Sequence, residues 1–258
     1  MHAAIDIVWK LSVLAELAVA ARLLLQGLAG EYPALLTACC ILPIKSVLLM
    51  ASFRPDIPHN QMREVARHLS PIEWTVCSWV VFELFSRWTR NYRGIGRFGK
   101  ILLGALLTLA LIISVVWCRA EWQVLGFAGV YRFYYILNRV VWVTLASFVV
   151  AAWLFFRNYP VPIAPNVIRY THIAVVYFAV TALSLMTFTL NGLKVVGPIN
   201  LLIVLVAAGC FCAWAVRLTA KGQIAPPREV VSIQDRQNIE RINRELLVFM
   251  GSSRGHGR

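Results

Sequence analysis

The sequence predicts an all-α integral membrane protein with seven transmembrane helices, the N terminus outside and the C terminus in the cytoplasm, followed by a cytoplasmic amphipathic helix. Three observations lead there. Of 258 residues, 59% are hydrophobic and 14% charged, a balance outside the soluble range. Seven apolar stretches approach the about 20 residues that cross a hydrocarbon core of about 30 Å. The basic residues behind the formal net charge of +13 fall mostly between those stretches, where they orient a chain and meet anionic lipid. That placement argues against nucleic-acid binding.

The stretches cover residues 5–28, 33–53, 71–88, 99–118, 133–156, 169–190 and 197–218. The opening "MHAAIDIVWK" lacks the basic start of a secretory signal, and the long apolar run behind it carries Glu16, so this segment reads as a retained first helix. "GEYP", "RPDIPHN", "RNYPVPIAP" and "VVGPIN" punctuate the spans, and "VYRFYYILNR" reads as an aromatic belt at the start of the fifth. Orientation follows from Arg87, Arg90, Arg93, Arg97 and Lys100 in one loop, Arg157 and Arg169 in the next, and Arg217, Lys221 and Arg228 after the seventh span. The loop 54–70 falls outside despite Arg54, Arg63 and Arg67, with Asp56 and Glu64 partly offsetting them.

The bundle thus takes residues 1–222 and a cytoplasmic tail takes 223–258, with an amphipathic helix over 232–250 and a disordered end, "GSSRGHGR". Ser232 and Asp235 have capping-box spacing, and Ile239, Ile242, Leu246 and Phe249 recur on one face. These four residues are the candidate partner-binding face, set either against the protein's own cytoplasmic surface or against another protein.

Candidate site residues are the charges inside the spans. At about 1.5 Å per residue, Glu16, Lys45 and Glu83 all fall near the midplane, where an isolated charge is costly and side chains face the bundle interior and pair. They are expected to form one cluster, Lys45 the cation and the glutamates the anions. Three readings stay open: a structural ion pair that fixes helix register, a ligand, ion or proton site, or residues that do not meet. His172 and Asn200 are secondary candidates, the first more simply a packing histidine, the second a partner for backbone freed near Pro198 or a cavity residue. The aromatic residues read mostly as lipid-facing or belt positions. The six cysteines lie in or at the ends of apolar runs and read as small core residues, with no disulfide framework. No metal site and no cofactor is expected: Cys210 and Cys212, at i and i+2, point apart on a helix.

HExxH, GxSxG, CxxC and phosphate-loop patterns are absent, so no enzymatic activity is expected. The last span has no lysine to hold retinal. With "EYPALL" leading into the second span, "VVFELFSRWTR" closing the third and a helix leaving the seventh, the chain resembles the seven-helix membrane region of bacterial sensor kinases and uncharacterised stand-alone bacterial seven-helix membrane proteins. The resemblance implies a multi-pass protein of the bacterial inner membrane. No kinase sequence follows the tail helix. The expected function is a sensor or interaction module, signal-transducing or scaffolding, that binds a small or lipid-like ligand or a protein partner. The alternatives are a transporter or channel for a small solute, ion or proton, and an accessory subunit of a larger membrane complex.

Overall fold

The computed structural model describes residues 2–52, 59–90, 92–120, 129–158, 163–191, 196–223 and 233–252. All regular structure among them is helical: α1 (His2–Leu25), α2 (Pro33–Ser52), α3 (His59–Trp88), α4 (Arg93–Ala120), α5 (Gly129–Asn158), α6 (Pro165–Asn191), α7 (Val196–Arg217), a 3₁₀ turn (Ala220–Gln223) and α8 (Ile233–Ser252). Among the described residues, four helices hold stretches long and apolar enough to cross a bilayer: Pro33–Met50, Phe133–Phe155, Pro165–Thr187 and Gly197–Arg217. The chain is therefore a helical protein with the make-up of a membrane-embedded one.

α1 ends where Gly27 turns left-handed (φ 67°), the conformation that suits a residue without Cβ. Leu28 N–H then donates to Leu23 O at 2.8 Å and Gly27 N–H to Leu24 O at 3.1 Å, the paired bonds of a Schellman stop, with Leu23 and Leu28 buried together. The first helix thus stops three residues short of the expected 28.

The larger correction concerns α3. The expected outer loop 54–70 lies partly inside this helix, which begins at His59 and runs through Pro71. A proline removes one backbone donor and can be absorbed within a packed helix, as Pro43 also is in α2. "VYRFYYILNR" lies within the first turns of α5. The capping residue Ser232 and residues 253–258 of the expected disordered end lie outside the described residues; Gly251 and Ser252 are still helical.

The helices form a ring. α1 packs on α2 and α7, α3 follows α2, α5 lies between α4 and α6, and α7 on α1 closes the circuit, with α3 also touching α4, α5 and α6. In lipid, helices associate through close packing rather than through the hydrophobic effect, and large side chains supply much of the contact here. Edge-on ring contacts run from Tyr32 to Tyr170 (5.5 Å), Tyr170 to Trp214 (5.5 Å), Trp214 to Phe211 (5.2 Å), Phe211 to Tyr177 (6.1 Å) and Tyr177 to Trp142 (5.8 Å). All six rings are buried. The expectation that aromatic residues mostly face lipid is corrected for this set, which joins the turn before α2 to the seam between α5, α6 and α7. Cys39, Cys77 and Cys210 are buried core residues, whereas Cys40 and Cys212 are exposed; all five are free thiols.

α8 packs against α4, at the end of the bundle where α1, α3, α5 and α7 finish and α2, α4 and α6 begin. Side chains at that end complete helix termini. Arg22 donates to Leu218 O (3.1 Å), Arg169 to Arg217 O (3.0 Å) and the Asn166 amide to Thr219 O (2.6 Å), so cations and an amide cover the carbonyls that α7 leaves open.

Candidate functional site

Lys45 on α2 meets a carboxylate, but it is Glu73 of α3, through a direct ion pair. Glu73 escapes a reading by residues alone because a third span beginning at Pro71 puts it at the end of a helix; with α3 starting at His59 it lies near the helix middle. Polar groups continue from the pair onto α5. Ser70 and Tyr134 share a hydroxyl hydrogen bond of 2.7 Å, Tyr134 stacks on Trp74 at 5.9 Å, and Asn138 Oδ1 accepts from the indoles of Trp74 (2.7 Å) and Trp142 (3.1 Å). Asn138 thereby joins α3 to α5 in this network.

Glu16 of α1 is near this pair without joining it. Only 4% exposed, it accepts from the Ser12 hydroxyl at 3.5 Å, its Oε2 has no hydrogen-bond partner among the described residues, and Glu73 and Lys45 are its charged neighbours. The expected three-residue cluster is therefore corrected: Lys45 pairs with Glu73, Glu16 stands beside them, and Glu83 is elsewhere.

Glu83 sits at the start of α2. Its Oε2 accepts from Ala34 N–H at 2.6 Å, Leu35 N–H also donates to it, and the Tyr170 hydroxyl lies 3.5 Å from Oε1. Eleven residues separate Ala34 from Lys45, about 16 Å along a helix, beyond the reach of an ion pair. The physical reason for a carboxylate here is local. α2 is preceded by Tyr32, which cannot cap as Ser, Thr, Asp or Asn do, so its first N–H groups need an acceptor from another helix, and an anion also suits the positive end of the helix dipole. Arg87 beside it pairs with Glu31 and lies 5.4 Å from the Tyr32 ring.

α4 uses the same device. Tyr92 precedes it, and Asn243 Oδ1 of α8 accepts from Gly94 N–H (2.7 Å) and Ile95 N–H (3.3 Å). Gly94 is what lets α8 come this close: a Cβ there would stand 2.4 Å from the Asn243 backbone oxygen. Of the expected partner-binding face, Ile239 is 1% exposed in the core, Ile242 and Leu246 pack against it, and Phe249 is 68% exposed. The tail helix thus spends most of its apolar face on its own bundle.

Ile242 and Leu246 also form one wall of a cavity of about 530 Å³ whose other walls come from α3, α4 and α5. Phe85, Phe98, Leu102, Phe148 and Phe155 line it, with Ser147 the single polar side chain. Such a space suits an apolar molecule or an acyl chain.

The secondary candidates are apart from both places. His172 is exposed on α6 with its ring edge-on to Trp153 at 5.9 Å, and Asn200 is half-buried in the first turns of α7. No group of three or more His, Cys, Asp or Glu side chains able to hold a metal ion occurs among the described residues. Comparison with protein-family models, with curated proteins and with solved structures finds no match.

The Lys45–Glu73 pair permits a direct test. Removing one partner strands a charge in an apolar setting, while removing both does not. Lys45→Met or Glu73→Leu alone is expected to destabilise the protein by about 3 kcal/mol, and the double variant by less than either single one. Denaturation of all four proteins in one detergent measures the coupling; additive effects would mean that the two side chains do not depend on each other.

Proposed function

We propose that the chain is a polytopic sensor or interaction module of a bacterial inner membrane, in which α8 responds to a small or lipid-like ligand held in the apolar cavity beneath it. Seven crossings, with the N terminus outside and α8 in the cytoplasm, fit this reading. Arg22, Arg87, Arg90, Arg97, Lys100, Arg157, Arg169, Arg217 and Lys221 belong to helix termini and turns at the α8 end, as the positive-inside rule expects of a cytoplasmic face.

The observation that carries the reading is that Ile242 and Leu246 belong both to the docked face of α8 and to the cavity wall. Whatever fills the cavity touches the helix, so a ligand that prefers the docked or the released state shifts the balance between them by its difference in affinity. A released α8 would offer Ile239, Ile242 and Leu246 to a protein partner.

Filling the cavity from the bundle side tests this. Ala151 lines the cavity at the surface of α5. Ala151→Trp is expected to abolish co-purification of an apolar molecule detected by mass spectrometry, and to change amide hydrogen exchange across 237–249 by at least about ten-fold, a shift of about 1.4 kcal/mol. Unchanged exchange, with the same molecules retained, would refute the coupling.

Glu16 favours a second reading, proton or ion movement through α1, α2 and α3, because a buried carboxylate with one unpartnered oxygen beside an ion pair is the kind of group that transport uses. Flux in protein-loaded vesicles that disappears with Glu16→Gln would move the assignment there.

A further inference from the structure

A second cavity, of about 470 Å³, opens between the start of α2, the last turns of α3 and the first turns of α4. Its residues are graded along α3 and the turn that follows it. Trp79 and Phe82 come first, then Ser86 and Arg87, then Arg90, with Lys100 facing them from α4 and Pro33 closing the α2 side. Positions 79, 82 and 86 step by three and four, so they line a single stripe of α3, and Arg90 follows in the turn after that helix, so the lining passes from aromatic to cationic towards the end of the bundle.

The charges do not cancel. Glu83, which also lines the space, is engaged by the N–H groups of α2, and Arg87 is engaged by Glu31. Arg90 and Lys100 are exposed and have no carboxylate partner among the described residues. Two uncompensated cations thus stand at the rim of a cleft whose inner wall is aromatic.

We infer that this cleft binds an anionic phospholipid, its phosphate between Arg90 and Lys100 and one acyl chain along Phe82 and Trp79. Arg90 offers the forked donor set that matches phosphate oxygens and Lys100 a compact charge. The gradient from apolar to cationic along α3 runs as a phospholipid does from chain to headgroup, and basic clefts between helices at a membrane face are suited to acidic headgroups. A soluble phosphate compound would use the two cations and leave Trp79, about half exposed, with nothing apolar to meet. The site is separate from the cavity under α8, so the proposal stands or falls independently of the sensor reading.

The test uses the full chain in a neutral detergent, with native mass spectrometry to count bound lipid and titration to measure affinity. Phosphatidylglycerol is expected to bind at one preferred site, more tightly than phosphatidylcholine. Arg90→Gln/Lys100→Gln is expected to weaken phosphatidylglycerol about 30-fold, roughly five-fold for each cation, and to leave phosphatidylcholine unchanged. Arg97→Gln/Lys221→Gln removes as much charge from the same end and is expected to keep the affinity. Arg90→Lys/Lys100→Arg preserves charge and is expected to retain binding, which guards against a folding defect in the glutamine variant. Equal losses in the two glutamine double variants would overturn the site in favour of diffuse surface charge. No preference over phosphatidylcholine, or displacement of the lipid by equimolar inorganic phosphate, would overturn it as well.

Discussion

Glu83→Ala is expected to destabilise the bundle by about 3 kcal/mol, and Glu83→Gln by less than half of that. The carboxylate serves the first free N–H groups of α2, and removing it leaves Ala34 N–H and Leu35 N–H without an acceptor where little water can replace it. Each orphaned donor costs about 1–3 kcal/mol, and the lost attraction to the helix dipole adds to that. Glutamine keeps an oxygen for the backbone and forfeits only the charge. Unfolding followed by circular dichroism in one detergent separates the variants. If Glu83→Ala came within about 0.5 kcal/mol of the parent, α2 would have to draw its cap from another source.

Gly94→Ala is expected to release α8 while leaving the seven-helix body folded. Alanine in place of glycine favours the helix itself by about 1 kcal/mol, so the variant should not weaken α4. Its methyl group, however, would meet the Asn243 backbone oxygen at 2.4 Å, and backbone cannot rotate away as a side-chain tip can. Ile239→Asn reaches the same end by another route, placing an amide with no partner in a position 1% exposed, for a loss of about 3 kcal/mol. Both variants should raise hydrogen exchange across 237–249 by 100-fold or more, with α6 and α7 unaffected. Protection that persists in both would show that α8 is held by contacts other than Asn243 and Ile239.

Which parts are legible in the residues alone depends on how local each cause is. Apolar stretches and basic flanks are local, and they lead to helices matching α2, α5, α6 and α7 within a few residues; the tail helix is equally clear from the spacing of Ile239, Ile242 and Leu246. Prolines mislead, because Pro71 reads as a boundary while α3 continues through it for twelve residues towards His59. That single shift hides Glu73 and moves Glu83 from the midplane to the end of α2. The caps supplied by Glu83 and Asn243 join helices far apart in sequence, and no spacing rule brings them together. A clue is present at α4: in "RGIGRFGK", glycines 94 and 99 sit where α8 and the Phe85 ring come close, and such a run at the start of a helix is a reason to look for a neighbour.

The tail helix docks on its own bundle over an apolar cavity. A distance measurement between spin labels at Arg97 on α4 and Arg244 on α8, in lipid nanodiscs, tests it most directly. Docking predicts one narrow, short distance in the parent that broadens in Gly94→Ala and shifts in Ala151→Trp. A broad distribution in the parent, indifferent to both substitutions, would contradict it.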